Sequence, residues 1–264
     1  MAHPDLSVHP LCSYFLSGYL SSREDPTNFP PDECPALWDR YERLFESGLQ
    51  VLGLTKEALK GKPEFNFDSG DAANLESGMA ILRVSEALRQ QNFVNVALVR
   101  PRKNAPGADL TCEKNGQKVC LEVKTITKQS SGLPGCFFES QLYEKIRESV
   151  SKARAQLEAS AKELQCTVKI LVCVVNWLAQ SIYLNQEDYQ QIVNRLERDG
   201  EQKSLTGVDG VLFVTKMGLQ FLFLNERGKL IDLPSMGPLA SGASMKGVAE
   251  GRMGATQEAR RRAS

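Results

Sequence analysis

Three side chains within one short stretch could do chemistry together. In "PGADLTCEKNGQKVCLEVKT", residues 106–125, Asp109, Glu122 and Lys124 interrupt two runs otherwise suited to β-strands. Between the runs stands Asn115-Gly116, the dipeptide that a two-residue type I′ hairpin turn selects, because both central residues need positive φ. With those two as the loop, Lys114 pairs with Gln117. Counting outward then sets Asp109 opposite Glu122, with Cβ atoms about 4.5–5.5 Å apart. Alternation puts Asp109, Thr111, Cys120, Glu122 and Lys124 on one face, and Leu110, Cys112, Val119, Leu121 and Val123 on the other, the expected core side. Facing carboxylates destabilise a sheet unless something neutralises them. A divalent cation with oxygen ligands does that best, and Mg2+ or Mn2+ would keep waters available for reaction. A lysine beside them can polarise an attacking water or stabilise charge on a phosphorane-like transition state. The chemistry implied is phosphodiester hydrolysis; the plainer alternative is a solvent-facing strand pair with ordinary surface charge.

The elements that must hold these residues can be read on either side of the hairpin. "AANLESGMAILRVSEALRQQ" (72–91) predicts a helix capped by Asp71, with Leu75, Met79 and Leu82 at helical spacing. A strand, "FVNVALV", and a basic loop, "RPRKNAPG", lead into the hairpin. A long helix is predicted over about 138–165, with an apolar stripe of Leu142, Ile146, Val150, Ala153, Leu157 and Leu164. "TVKILVCVV" (167–175) reads as a strand covered on both faces. A helix at about 186–198 and a strand pair, "GVLFV" and "LQFLFL", follow. The order predicts an α/β fold, a mixed central sheet flanked by helices. Residues 1–70 read as a helical N-terminal subdomain or arm and 71–234 as the domain carrying the charged hairpin. Residues 235–264, rich in Gly, Ala and Ser, read as a disordered tail.

Composition narrows the function classes. The 264 residues carry 32 basic and 32 acidic side chains, so a nucleic-acid partner would need a local patch. One exists: from Arg100 to Lys128 seven basic residues face three acidic ones, net +4. Arg100, Arg102 and Lys103 are well placed there to hold phosphates. Only His3 and His9 exist, near a terminus expected to fray, which argues against Ser-His-Asp, Cys-His and His-rich metal chemistry. No P-loop or dinucleotide-binding glycine pattern occurs. Seven cysteines without a C-x-x-C pair suggest buried thiols in a reducing compartment. With no signal-peptide pattern and no apolar run long enough to span a membrane, a cytoplasmic protein is expected.

The Asp, Glu and Lys resemble the motif of the PD-(D/E)XK nuclease superfamily, which has the restriction-endonuclease-like fold. Asp109 in "GADL" matches its metal-binding Asp, and Glu122-Val123-Lys124 in "LEVKT" its (D/E)-x-K. The resemblance covers about residues 72–176. It implies an α/β/α sandwich built from a helix, a three-strand meander, a second helix and a fourth strand. It also implies Mg2+- or Mn2+-dependent cleavage of DNA, with RNA left open, and an endonuclease before an exonuclease. Many members add a Glu on the first core helix; Glu76 is the candidate here and Glu86 its rival. Some carry a Gln or Lys on the second core helix, where Lys152 and Gln156 stand at i and i+4. The fuller Q-x-x-x-Y form is lacking, since position 160 is Ser. The alternative is a nucleic-acid-binding or scaffold protein that keeps the fold without catalysis. The N-terminal helices could recognise a partner, target the domain or form a homodimer.

Overall fold

The hairpin turns at Asn115-Gly116, whose φ values of 51° and 73° are those a type I′ turn demands. It joins β2 (Leu110–Lys114) to β3 (Gln117–Ile126), and the observed register pairs Lys114 with Gln117 and Leu110 with Leu121. The computed structural model describes residues 6–22, 35–99, 107–126, 139–175, 186–201, 205–215 and 218–231. Arg100, Arg102, Lys103 and the tail 235–264 lie outside them.

The fold is α/β, with one six-stranded mixed sheet in the order β1-β2-β3-β4-β5-β6. β1 (Val94–Leu98), β2 and β3 form an antiparallel meander. β4 (Val168–Val175) and β5 (Gly210–Thr215) continue parallel to β3, and β6 (Gly218–Leu224) closes antiparallel. Parallel neighbours need crossover connections. These contain α5 (Glu139–Leu164) between β3 and β4, and α6 (Gln186–Glu201) between β4 and β5. No helix among the described residues is long and apolar enough to cross a membrane.

Alternation along the strands feeds two cores. Leu110, Cys112, Val119, Leu121, Val168, Ile170 and Val172 bury against α1 (Pro10–Ser22), α2 (Pro35–Leu52) and α4 (Ala72–Gln90). Cys120, Ile126, Leu171, Cys173, Val211 and Phe213 bury against α5 and α6. From Ile170 to Val175 the β4 run is apolar because both its faces are covered. The charged face of the hairpin lies on the side covered by α5 and α6, so helices cover both faces of the sheet, as the sequence order predicts.

Local chemistry explains the helices. The Asp71 side chain accepts the Ala73 N–H at 2.9 Å, capping α4 as its sequence predicts. The α1 cap is not local: Glu42 of α2 accepts the N–H groups of Leu11 and Cys12, both at 2.8 Å. His9, expected to fray, is buried, its Nε2 3.9 Å from Asp39. The short helix α3 (Lys56–Lys60) and a 3-10 turn at Pro63–Phe65 were not anticipated. That turn lies tight on α4 at Gly78, where a Cβ would stand 2.6 Å from the Glu64 carbonyl oxygen and 2.7 Å from the Phe67 ring.

Gly78→Ala forces this contact apart. Despite the better helix propensity of alanine, it should destabilise the protein by about 1–3 kcal/mol in urea unfolding, as overpacking does. An unchanged midpoint would mean that the turn yields freely.

Candidate active site

The register set by the turn brings the first residues of β2 and the middle of β3 together, but the ladder changes at Asp109. Regular pairing stops at Leu110 with Leu121. The Asp109 N–H donates to the Leu121 carbonyl at 3.0 Å, one residue short of the Glu122 expected from the count, while its carbonyl accepts the Val99 N–H at 3.0 Å. The strand bulges, and bulges of this kind re-aim a side chain. Here the side chain replaces the ladder itself: Asp109 Oδ2 accepts the Val123 N–H at 2.7 Å. Asp109 and Glu122 are thus neighbours, though not a regular cross-strand pair.

Glu122 is the deeper of the two, with 1% of its side chain exposed. Lys124, 30% exposed on the same face, donates from Nζ to Glu122 Oε1 and to Gln156 Oε1, the latter at 3.4 Å. Glu122 Oε2 has no hydrogen-bond partner among the described residues. A buried carboxylate oxygen so left carries a cost of about 1–3 kcal/mol or more. Burial first, and the Asp109 charge second, push the Glu122 carboxyl up to about 7, against the pull of Lys124 and of the Gln156 amide. Burial also raises Asp109, to about 6, although the Val123 N–H and Lys124 hold it down. Both shifts express one fact, that this pocket disfavours two bare negative charges.

The structure gathers Asp109, Glu122, Lys124 and Gln156, all from the expected set. Gln156, half-buried on α5, accepts from Lys124 and donates from Nε2 to the Gly107 carbonyl at 3.3 Å. Lys152, one turn earlier, is exposed and takes no part in this cluster. Neither Glu76 nor Glu86 is among the charges that act on Asp109 and Glu122. Glu76 acts on Tyr41, and Glu86 on Arg40 and Arg83, all in or beside the α2–α4 packing. Among the described residues no group of three His, Cys, Asp or Glu side chains is arranged to hold a metal.

Two residues escaped the sequence reading. Glu64, on the turn seated at Gly78, adds its charge to those acting on Asp109. Ser160, on α5, is 1% exposed and accepts the Ala108 N–H at 2.8 Å. The signal for Glu64 was faint, a Pro before it and a small residue on the facing helix. The signal for Ser160 was plain: it stands three residues after Leu157, where the apolar stripe of α5 continues, and Leu164 beyond it is only half-buried.

The donor set suits a small hard cation. Mg2+ is commonly held by one or two carboxylates and keeps several waters. An anionic pair with a buried oxygen lacking a donor supplies that binding chemistry. No family model, curated protein or solved structure matches the chain.

The raised carboxyls fix a pH dependence. A folded-state value above the unfolded one means that the native state holds protons the unfolded chain has released, so stability falls as pH rises from about 4.5 to 7. In chelator-treated buffer, Glu122→Gln should match wild type near pH 4.5. By pH 7.5 it should exceed it by on the order of 2 kcal/mol. A difference that stays flat across this range would show that Glu122 does not titrate there.

Proposed function

We propose that the chain is a metal-dependent nuclease that hydrolyses phosphodiester bonds of DNA. The unpartnered Glu122 Oε2, 1% exposed beside Asp109, carries this reading, because a divalent cation is the partner such an oxygen lacks. Asp109 and Glu122 would hold Mg2+ or Mn2+; bound there, the cation supplies Lewis-acid polarisation and a more acidic water. Lys124, oriented by Glu122 Oε1 and Gln156 Oε1, would meet phosphate oxygens where they gain charge. Arg100, Arg102 and Lys103 enter the chain just before Gly107, and Lys152 stands exposed one turn before Gln156. These cations, near Asp109 and Gln156 in sequence, support a phosphate-binding role. The order helix, meander, helix, parallel strand, with the charged triplet on the meander, supports the resemblance to PD-(D/E)XK nucleases. The five described cysteines are free thiols, which supports a cytoplasmic setting.

Purified protein should nick closed-circular plasmid with Mg2+ or Mn2+ and leave it intact in EDTA; RNA and linear DNA run beside it. Asp109→Ala and Glu122→Gln should reduce cleavage to background, and Lys124→Ala by about 10²–10³-fold. Cleavage undiminished by Asp109→Ala or Glu122→Gln would sink the assignment. Salt-sensitive DNA binding without cleavage would favour a non-catalytic nucleic-acid-binding protein instead.

A further inference from the structure

Helix α5 grips a single peptide group immediately before Asp109. The Gly107 carbonyl accepts from Gln156 Nε2 at 3.3 Å, and the N–H of the same peptide, on Ala108, donates to Ser160 Oγ at 2.8 Å. The two gripping residues are one helical turn apart, so both reach one peptide plane. Ala108 is itself 5% exposed and Ser160 1% exposed, so water does not compete for this contact. The next residue is Asp109, whose N–H and carbonyl are fixed by Leu121 and Val99. In this orientation Asp109 Oδ2 accepts the Val123 N–H at 2.7 Å.

We propose that Ser160 is a positioning residue, which holds the Gly107–Ala108 peptide so that Asp109 presents its carboxylate beside Glu122 for a divalent cation. The inference rests on the cation-site reading above, and its consequence is separable from nuclease activity. Serine is a poor choice for filling an apolar stripe. Alanine would fit the same space, and the hydroxyl serves here as an acceptor for one N–H. Groups that orient metal ligands typically change affinity or activity by about 10–100-fold when removed.

The test uses the full chain and Mn2+ as probe, with calorimetric titration, thermal melting and plasmid cleavage on the same preparations. Ser160→Ala should weaken Mn2+ binding about 10-fold and lower kcat without changing KM for DNA. Ser160→Thr, which keeps the hydroxyl, should recover binding to within about 2-fold of wild type. Mn2+ affinity unchanged in Ser160→Ala, with only the melting temperature lowered, would overturn the proposal and leave a merely structural serine. If wild type cleaves DNA and Ser160→Ala cleaves equally well, the proposal falls while the nuclease reading stands. If wild type binds Mn2+ without cleaving and Ser160→Ala binds it more weakly, the proposal stands and the nuclease reading falls. Wild type that binds no Mn2+ overturns both. Should Ser160→Ala fail to fold, Ser160→Thr alone decides: a 10-fold loss of Mn2+ affinity there contradicts the role assigned to the hydroxyl.

Discussion

A carboxylate buried in a sheet with one oxygen unpartnered is the constraint on which the rest of this site depends. Glu122 sits at 1% exposure with Leu121 and Val123 beside it and Leu171 across the ladder on β4. Desolvation alone would keep such a group neutral. Its surroundings oppose that tendency only in part. Lys124 engages Oε1, yet Asp109 adds a second negative charge and nothing described satisfies Oε2. An apolar residue here would have made a more stable sheet, as hydrophobic replacements of buried charges commonly do. Retaining the acid has a cost that the proposed cation would offset.

From that constraint the neighbouring features follow in sequence. The bulge at Asp109 gives the Val123 N–H a carboxylate acceptor in place of a ladder carbonyl, which keeps Asp109 near its partner. Helix α5 spends two polar residues of a largely apolar face on the loop that delivers Asp109, and one of them also holds Lys124. The parallel pairing of β3 with β4 places α5 over this sheet face. Crossover, bulge and charge pair are thus parts of one arrangement.

Much of this was legible in the chain because it is local. Positive φ at Asn115-Gly116 fixed the hairpin register through Leu110 and Leu121, the Asp71 cap placed the start of α4, and the apolar run at 170–175 marked a doubly covered strand. What escaped is non-local. The register count could not foresee the slip at Asp109, which is held by Val99 and by α5 as well as by β3. Glu64 reaches Asp109 from a turn far earlier in the chain, through a fit at Gly78 that helix periodicity does not reveal. Glu76 and Glu86 were plausible as acids on a neighbouring helix, and their charges act on Tyr41 and Arg83. Ser160 shows the remaining gap: a polar residue at a stripe position is visible in sequence, whereas its partner is not.

We propose that Asp109 and Glu122 together hold a cation. The most direct measurement is an anomalous difference map from crystals of the full chain soaked in Mn2+. The account predicts one strong peak within coordination distance of an oxygen of Asp109 and of Glu122 Oε2. No peak there, with Glu122 Oε2 instead hydrogen-bonded to a protein group or an ordered water, would contradict it.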